Sequence, residues 1–120
     1  MDTLIILLQI AAALGILNVW LVRFRKPSPY RGGSANNMIQ EFHAYGLPDG
    51  LVWVVGATKV ATALALLAGI IYPALRVPSA LAMVLLMTAA LVMHIRIRDD
   101  FRKSVPAAAV LVVSCFIAVV

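Results

Sequence analysis

Four apolar stretches, residues 3–22, 50–72, 78–95 and 105–120, take up most of this 120-residue chain. A hydrocarbon core of about 30 Å needs about 20 helical residues at ~1.5 Å rise each, a length that the first three stretches meet or nearly meet and the fourth approaches. Lipid offers no partner for a backbone N–H or C=O, so a segment that stays in it must close its own hydrogen bonds as a helix. The fold class is therefore all-α: one membrane domain over residues 1–120, a bundle of four transmembrane helices. Composition agrees, since 63% of residues are hydrophobic and 12% charged, and a mean hydropathy of +1.00 is far above what a soluble chain of this size sustains.

The formal net charge is +5, which in a soluble chain points to nucleic acid. Placement gives a different reading. Arg23, Arg25, Lys26 and Arg31 follow the first span, and Arg96, Arg98, Arg102 and Lys103 follow the third. With four spans both clusters fall on one side, against Arg76 and the N-terminal amine on the other. The positive-inside rule then puts the two basic loops in the cytoplasm and both termini outside, the topology expected of a multi-pass protein of the bacterial inner membrane. Anionic headgroups supply the counter-charge, and no nucleic-acid partner is expected. The first span carries Asp2 and no Lys or Arg ahead of its apolar run, the reverse of a cleaved secretory signal, so it is expected to remain as a helix.

Residues 24–49 form the longest extramembrane segment. Its opening run, Lys26-Pro27-Ser28-Pro29-Tyr30-Arg31-Gly32-Gly33, reads as a turn. Asn36 or Asn37 then caps a short helix, with Gln40 or Glu41 at capping-box spacing and Gly46 and Pro48 as a stop. Met38, Ile39, Phe42 and Tyr45 share one face of it. Such an amphipathic helix lies in the interface or folds back over the bundle mouth, and the cap is favoured.

Polar groups inside the spans are the candidate contacts. Gln9 and Asn18 are amides that hydrocarbon penalises unless they face neighbouring helices. Ala57, Ala61, Ala65 and Gly69 recur every four residues along the second span, a smooth stripe for close helix approach. Lys59 points away from that stripe, on the face of Val52, Val55, Gly56, Ala63 and Leu66. A lysine at that depth either snorkels or pairs within the bundle or with a ligand, and Glu41 is its natural partner if the cap helix folds in. The third span carries Met83, Met87, Ala90 and His94 on one face, a soft apolar wall ending in an imidazole. Neither His43 nor His94 has a Cys, Asp or Glu at metal-ligand spacing, so no metal is expected. The lone Cys115 provides no dithiol pair.

The string Leu86-Met87-Thr88-Ala89-Ala90-Leu91-Val92-Met93-His94-Ile95-Arg96, with Asp99 and Pro106 downstream and Gly46-Leu47-Pro48 leading into a second span that contains Gly56, resembles the DoxX-like family of small membrane proteins. The resemblance implies a left-handed four-helix bundle. It also implies a role like that of the family's namesake, a subunit of a thiosulfate:quinone oxidoreductase, or of relatives that act as assembly factors, including a receptor chaperone in animals. In span two this chain has Thr58-Lys59 where relatives often carry an acidic residue.

The expected function is a non-catalytic accessory subunit of a membrane complex, with a quinone or lipid between its helices. Lys59, His94 and Asn18 supply donors, Met83 and Met87 the apolar contacts, and Glu41 a carboxylate from the cap. Expected partners are membrane lipids and other membrane-protein subunits or a second copy. A membrane-protein assembly factor is the alternative, and transport by an oligomer a further one. No nucleophile–base pair is legible, which ranks an enzyme lowest.

Overall fold

The computed structural model describes residues 2–120. Helix α1 covers Asp2–Leu17 and widens into a π-turn over Asn18–Val22, closed by the Arg23 N–H donating to the Asn18 carbonyl at 2.9 Å. The others are α2, Met38–Ala44; α3, Asp49–Ala68; α4, Arg76–Arg96, entered through a 3-10 turn at Pro73–Leu75; and α5, Phe101–Val119. The described residues contain no strand.

The long helices pack as a ring in which α1 meets α3 and α5, and α4 meets α3 and α5. Its longest dimension is 40 Å, matching a bilayer with its headgroups. Large apolar side chains point outward on every long helix, among them Leu7, Leu14, Val54, Leu64, Leu85, Ile95 and Val112. Exposed Thr58 and Thr88 donate to the carbonyls of Val54 and Val84 at 2.8 and 2.7 Å, which spares lipid an unpaired hydroxyl. A water-soluble chain does not leave so continuous an apolar surface uncovered. This is a membrane protein built on four spanning helices.

Proline sets several boundaries. The second span was expected to run to residue 72, but α3 stops at Ala68 because Tyr72 precedes Pro73 and takes a non-helical backbone. Pro78 is tolerated inside the first turn of α4, where an N–H has no partner to lose. Pro106 sits inside α5, which begins at Phe101 rather than near residue 105. It removes only the bond to the Arg102 carbonyl close to the helix start.

Two apolar clusters fill the ring. At the end where α1 begins, Ile5, Ala12, Leu66, Ala80 and Ile117 pack together, and buried Gln9 donates from Nε2 to the Leu66 carbonyl at 3.0 Å. At the other end Trp20 lies under the second cluster with Phe42, Val52 and Met87. Gly56 makes that packing possible: a Cβ there would stand 2.6 Å from the Trp20 ring. Gly56→Val is expected to push the indole out of place and cost about 1–3 kcal/mol, read as a lower unfolding midpoint in detergent.

The short helix α2 folds over the Trp20 end as a cap. Asn37 Oδ1 accepts from the Gln40 N–H at 2.8 Å, and Gln40 Oε1 accepts from the Asn36 N–H at 2.9 Å, so both flanking orphans are satisfied. Met38, Phe42 and Tyr45 are buried against the bundle and Ile39 is partly buried. Phe42 meets Trp20 edge-on with centroids 6.0 Å apart.

Candidate functional site

The two basic loops meet at the capped end. They enclose a polar cluster beside a cavity of about 650 Å³ that reaches between the helices. Arg31, only 4% exposed, organises the first loop. Its Nε donates to the Lys26 carbonyl at 3.0 Å, and Nη2 donates to the carbonyls of Phe24, at 3.3 Å, and Arg23. Nη1 lies 3.7 Å from Glu41 Oε2, while Glu41 Oε1 accepts from the Gly32 N–H at 2.8 Å. Burial pulls the guanidinium below its ordinary pKa and Glu41 pulls it back up. It remains a cation.

The second loop contributes Asp99. Arg98 takes a left-handed backbone, φ 56°, that ends α4 and turns the chain back. Asp99 then lies beneath the helix end with Oδ2 2.7 Å from His94 Nδ1. Its other oxygen accepts from the Gly33 N–H at 3.0 Å and lies 3.9 Å from Lys103 Nζ, which itself donates to the Gly33 carbonyl. The other ring nitrogen of His94, Nε2, has the Tyr45 hydroxyl 3.4 Å from it. Burial, then the Glu41 and Asp99 carboxylates, drive the Tyr45 pKa well above its ordinary value, so the phenol keeps its proton.

Lys59, His94, Met87, Asn18 and Glu41 all line the cavity. Met83 does not: it is fully buried in the core, further along α4. Asn18 departs from the expectation that both amides of the first span face helices. It is exposed at the rim, because nine residues of helix at about 100° each put it on the side opposite buried Gln9. Glu41 departs as a partner of Lys59: its Oε1 accepts from the Gly32 N–H, and its Oε2 lies 3.7 Å from Arg31 Nη1. Lys59 instead holds its Nζ 5.4 Å from the Trp20 ring centroid. His94 was left without an acidic neighbour in the sequence, and Asp99 corrects that.

Trp20 escaped the sequence reading, and Arg31, Tyr45 and Asp99 entered it only as a loop charge, an apolar-face residue and part of the family resemblance, not as members of this cluster. The two Gly residues after Arg31 were the available signal for it, because Gly32 admits Tyr45 so closely that a Cβ would stand 2.5 Å from the ring.

A family model described as the DoxX-like family matches residues 33–118. The chain belongs to the DoxX-like family. No curated protein and no solved structure matches it. In this DoxX-like chain the matched region takes in Glu41, Tyr45, Lys59, His94 and Asp99, while α1, the π-turn with Asn18 and Trp20, and Arg31 precede it.

The cavity walls are apolar, from Ile16, Val19, Val55, Leu86 and Met93, with Arg23, Arg31, Lys59, Lys103 and Glu41 as charged lining residues. On the outside of the DoxX-like bundle, Ala57 and Ala61 are exposed and, with Ala65, Ser79 and Ala82, line a shallow groove between α3 and α4.

Proposed function

We propose that this DoxX-like protein is a non-catalytic accessory subunit of a membrane complex, quinone-linked in the redox case, that holds one lipid or quinone molecule in the capped cavity. The cavity carries this reading: its walls from Ile16, Val19, Val55, Leu86 and Met93 are apolar, and Arg23, Arg31, Lys59 and Lys103 set donors among them. In this reading the capped end faces the cytoplasm of a bacterial cell, with the basic loops against anionic headgroups and the termini outside.

The groove along Ala57 and Ala61 supports a helix of a neighbouring subunit or a second copy there, since small residues let backbones approach. The same groove supports the second reading, an assembly factor that docks client helices. The two readings diverge in stoichiometry. Purification in mild detergent, with mass spectrometry of co-purifying proteins and of the organic extract, is expected to recover a stable membrane partner together with a bound amphiphile. Transient clients without a fixed partner favour the assembly factor, and an empty monomer would remove both.

A further inference from the structure

Lys59 is the one basic side chain of the cavity wall that the protein leaves without a polar partner. Ten residues into α3, about 15 Å along it, its ammonium makes no hydrogen bond and no ion pair among the described residues. The face of Trp20 compensates a cation only in part. Among the described residues the carboxylate that shares the cavity lining with it is Glu41, whose Oε1 accepts from the Gly32 N–H and whose Oε2 lies 3.7 Å from Arg31 Nη1. Among the described residues the nearby polar side chains of Asn18 and Tyr30 form no hydrogen bond, and Arg23 makes a single one, at 3.4 Å to the Pro27 carbonyl. Tyr45 and His94 face each other. What stays without a full set of partners at the cavity is the Lys59 ammonium and most of the Arg23 guanidinium, beside the amide of Asn18 and the phenol of Tyr30.

We infer that the occupant is an anionic single-chain amphiphile, with a carboxylate or phosphate-monoester head on Lys59 Nζ and one apolar tail along the Val55 and Met87 walls. This rests on the reading of the cavity as a ligand site and narrows it. A quinone carbonyl accepts a hydrogen bond but leaves the ammonium's charge uncompensated in a low-dielectric site, whereas an oxyanion cancels it. About 650 Å³ lies within the ~300–1,000 Å³ that holds one small ligand, which suits a single tail. Lysine's compact charge with three donors takes a carboxylate or a phosphate equally well.

The test uses the full chain in neutral phosphatidylcholine nanodiscs with Trp53→Phe, so that Trp20, under Lys59, is the only fluorophore of its kind. Brominated probes of equal tail length are added: a fatty acid, a lysophosphatidic acid, and the fatty alcohol; decyl-ubiquinone is the fourth ligand. At least one oxyanion is expected to quench Trp20 with roughly tenfold or greater advantage over the alcohol and the quinone, the scale of a charge-assisted bond. The stronger of the two identifies a free fatty acid or a lysophospholipid as the source. Lys59→Met is expected to erase the advantage and Lys59→Arg to keep most of it. Equal binding of acid, alcohol and quinone in the Lys59 protein overturns the anionic assignment and leaves the cavity a ligand site. Absence of saturable quenching by all four overturns the cavity reading itself.

Discussion

Asp99→Ala is expected to destabilise the protein by about 3–5 kcal/mol, because it leaves buried charge without its partner. The carboxylate is 6% exposed and joins three pieces of chain, the first loop, α4 and α5, of which the loop and α5 are also linked by Lys103 Nζ on the Gly33 carbonyl. It receives the imidazole of α4, the backbone N–H of Gly33 in the first loop and the ammonium of Lys103 on α5. Without it Lys103 keeps a charge near a carbonyl, Gly33 keeps a half-buried N–H, and His94 loses the partner of its Nδ1. Asp99→Asn separates the contributions. It keeps an acceptor for the Gly33 N–H and loses the charge, so a smaller loss of about 1–3 kcal/mol is expected. Equilibrium unfolding in mixed micelles reads both, and a loss under about 1 kcal/mol for Asp99→Ala would mean that water, not protein, solvates this carboxylate.

The bundle was legible from the sequence because lipid removes alternatives. An apolar run of about 20 residues has one way to close its hydrogen bonds, and the four spans lie where hydropathy puts them. The cap was legible too, since Asn37 and Gln40 sit at capping distance and Met38, Phe42 and Tyr45 recur on one face. Ends governed by proline were less so: Tyr72 and Phe101 differ from the expected boundaries because the effect of proline depends on which turn it occupies.

The polar cluster was only half legible, for a geometric reason. Helical spacing reveals partners three or four residues apart, and His94 with Asp99 are five apart, joined only because Arg98 adopts a left-handed backbone. Arg31 lies in a Pro- and Gly-rich turn whose path no periodicity describes. Consequently Glu41 was matched with Lys59, the visible intramembrane charge, although Arg31 was nearer in the fold. Lys59 itself was placed on the correct face, since Val52, Gly56, Ala63 and Leu66 beside it are all buried.

Arg31→Met should cost about as much as the loss of Asp99, on the order of 3–5 kcal/mol, for two reasons that a second substitution separates. One is the clasp: a single guanidinium gathers the carbonyls of Arg23, Phe24 and Lys26, and thereby shapes the loop that forms one wall of the cavity. Lysine cannot reproduce that fork, so Arg31→Lys is expected to recover only a minor part of the loss. The other is the ion pair with Glu41, whose carboxylate becomes an unpaired charge when Arg31 goes. Removing both charges, in Arg31→Met with Glu41→Met, relieves the second cost while keeping the first. The double variant should therefore be more stable than Arg31→Met alone by about 1–3 kcal/mol, even though it also deprives the Gly32 N–H of its acceptor. If the two losses simply add, the 3.7 Å Arg31–Glu41 contact contributes nothing, and the loop is held by its carbonyls alone.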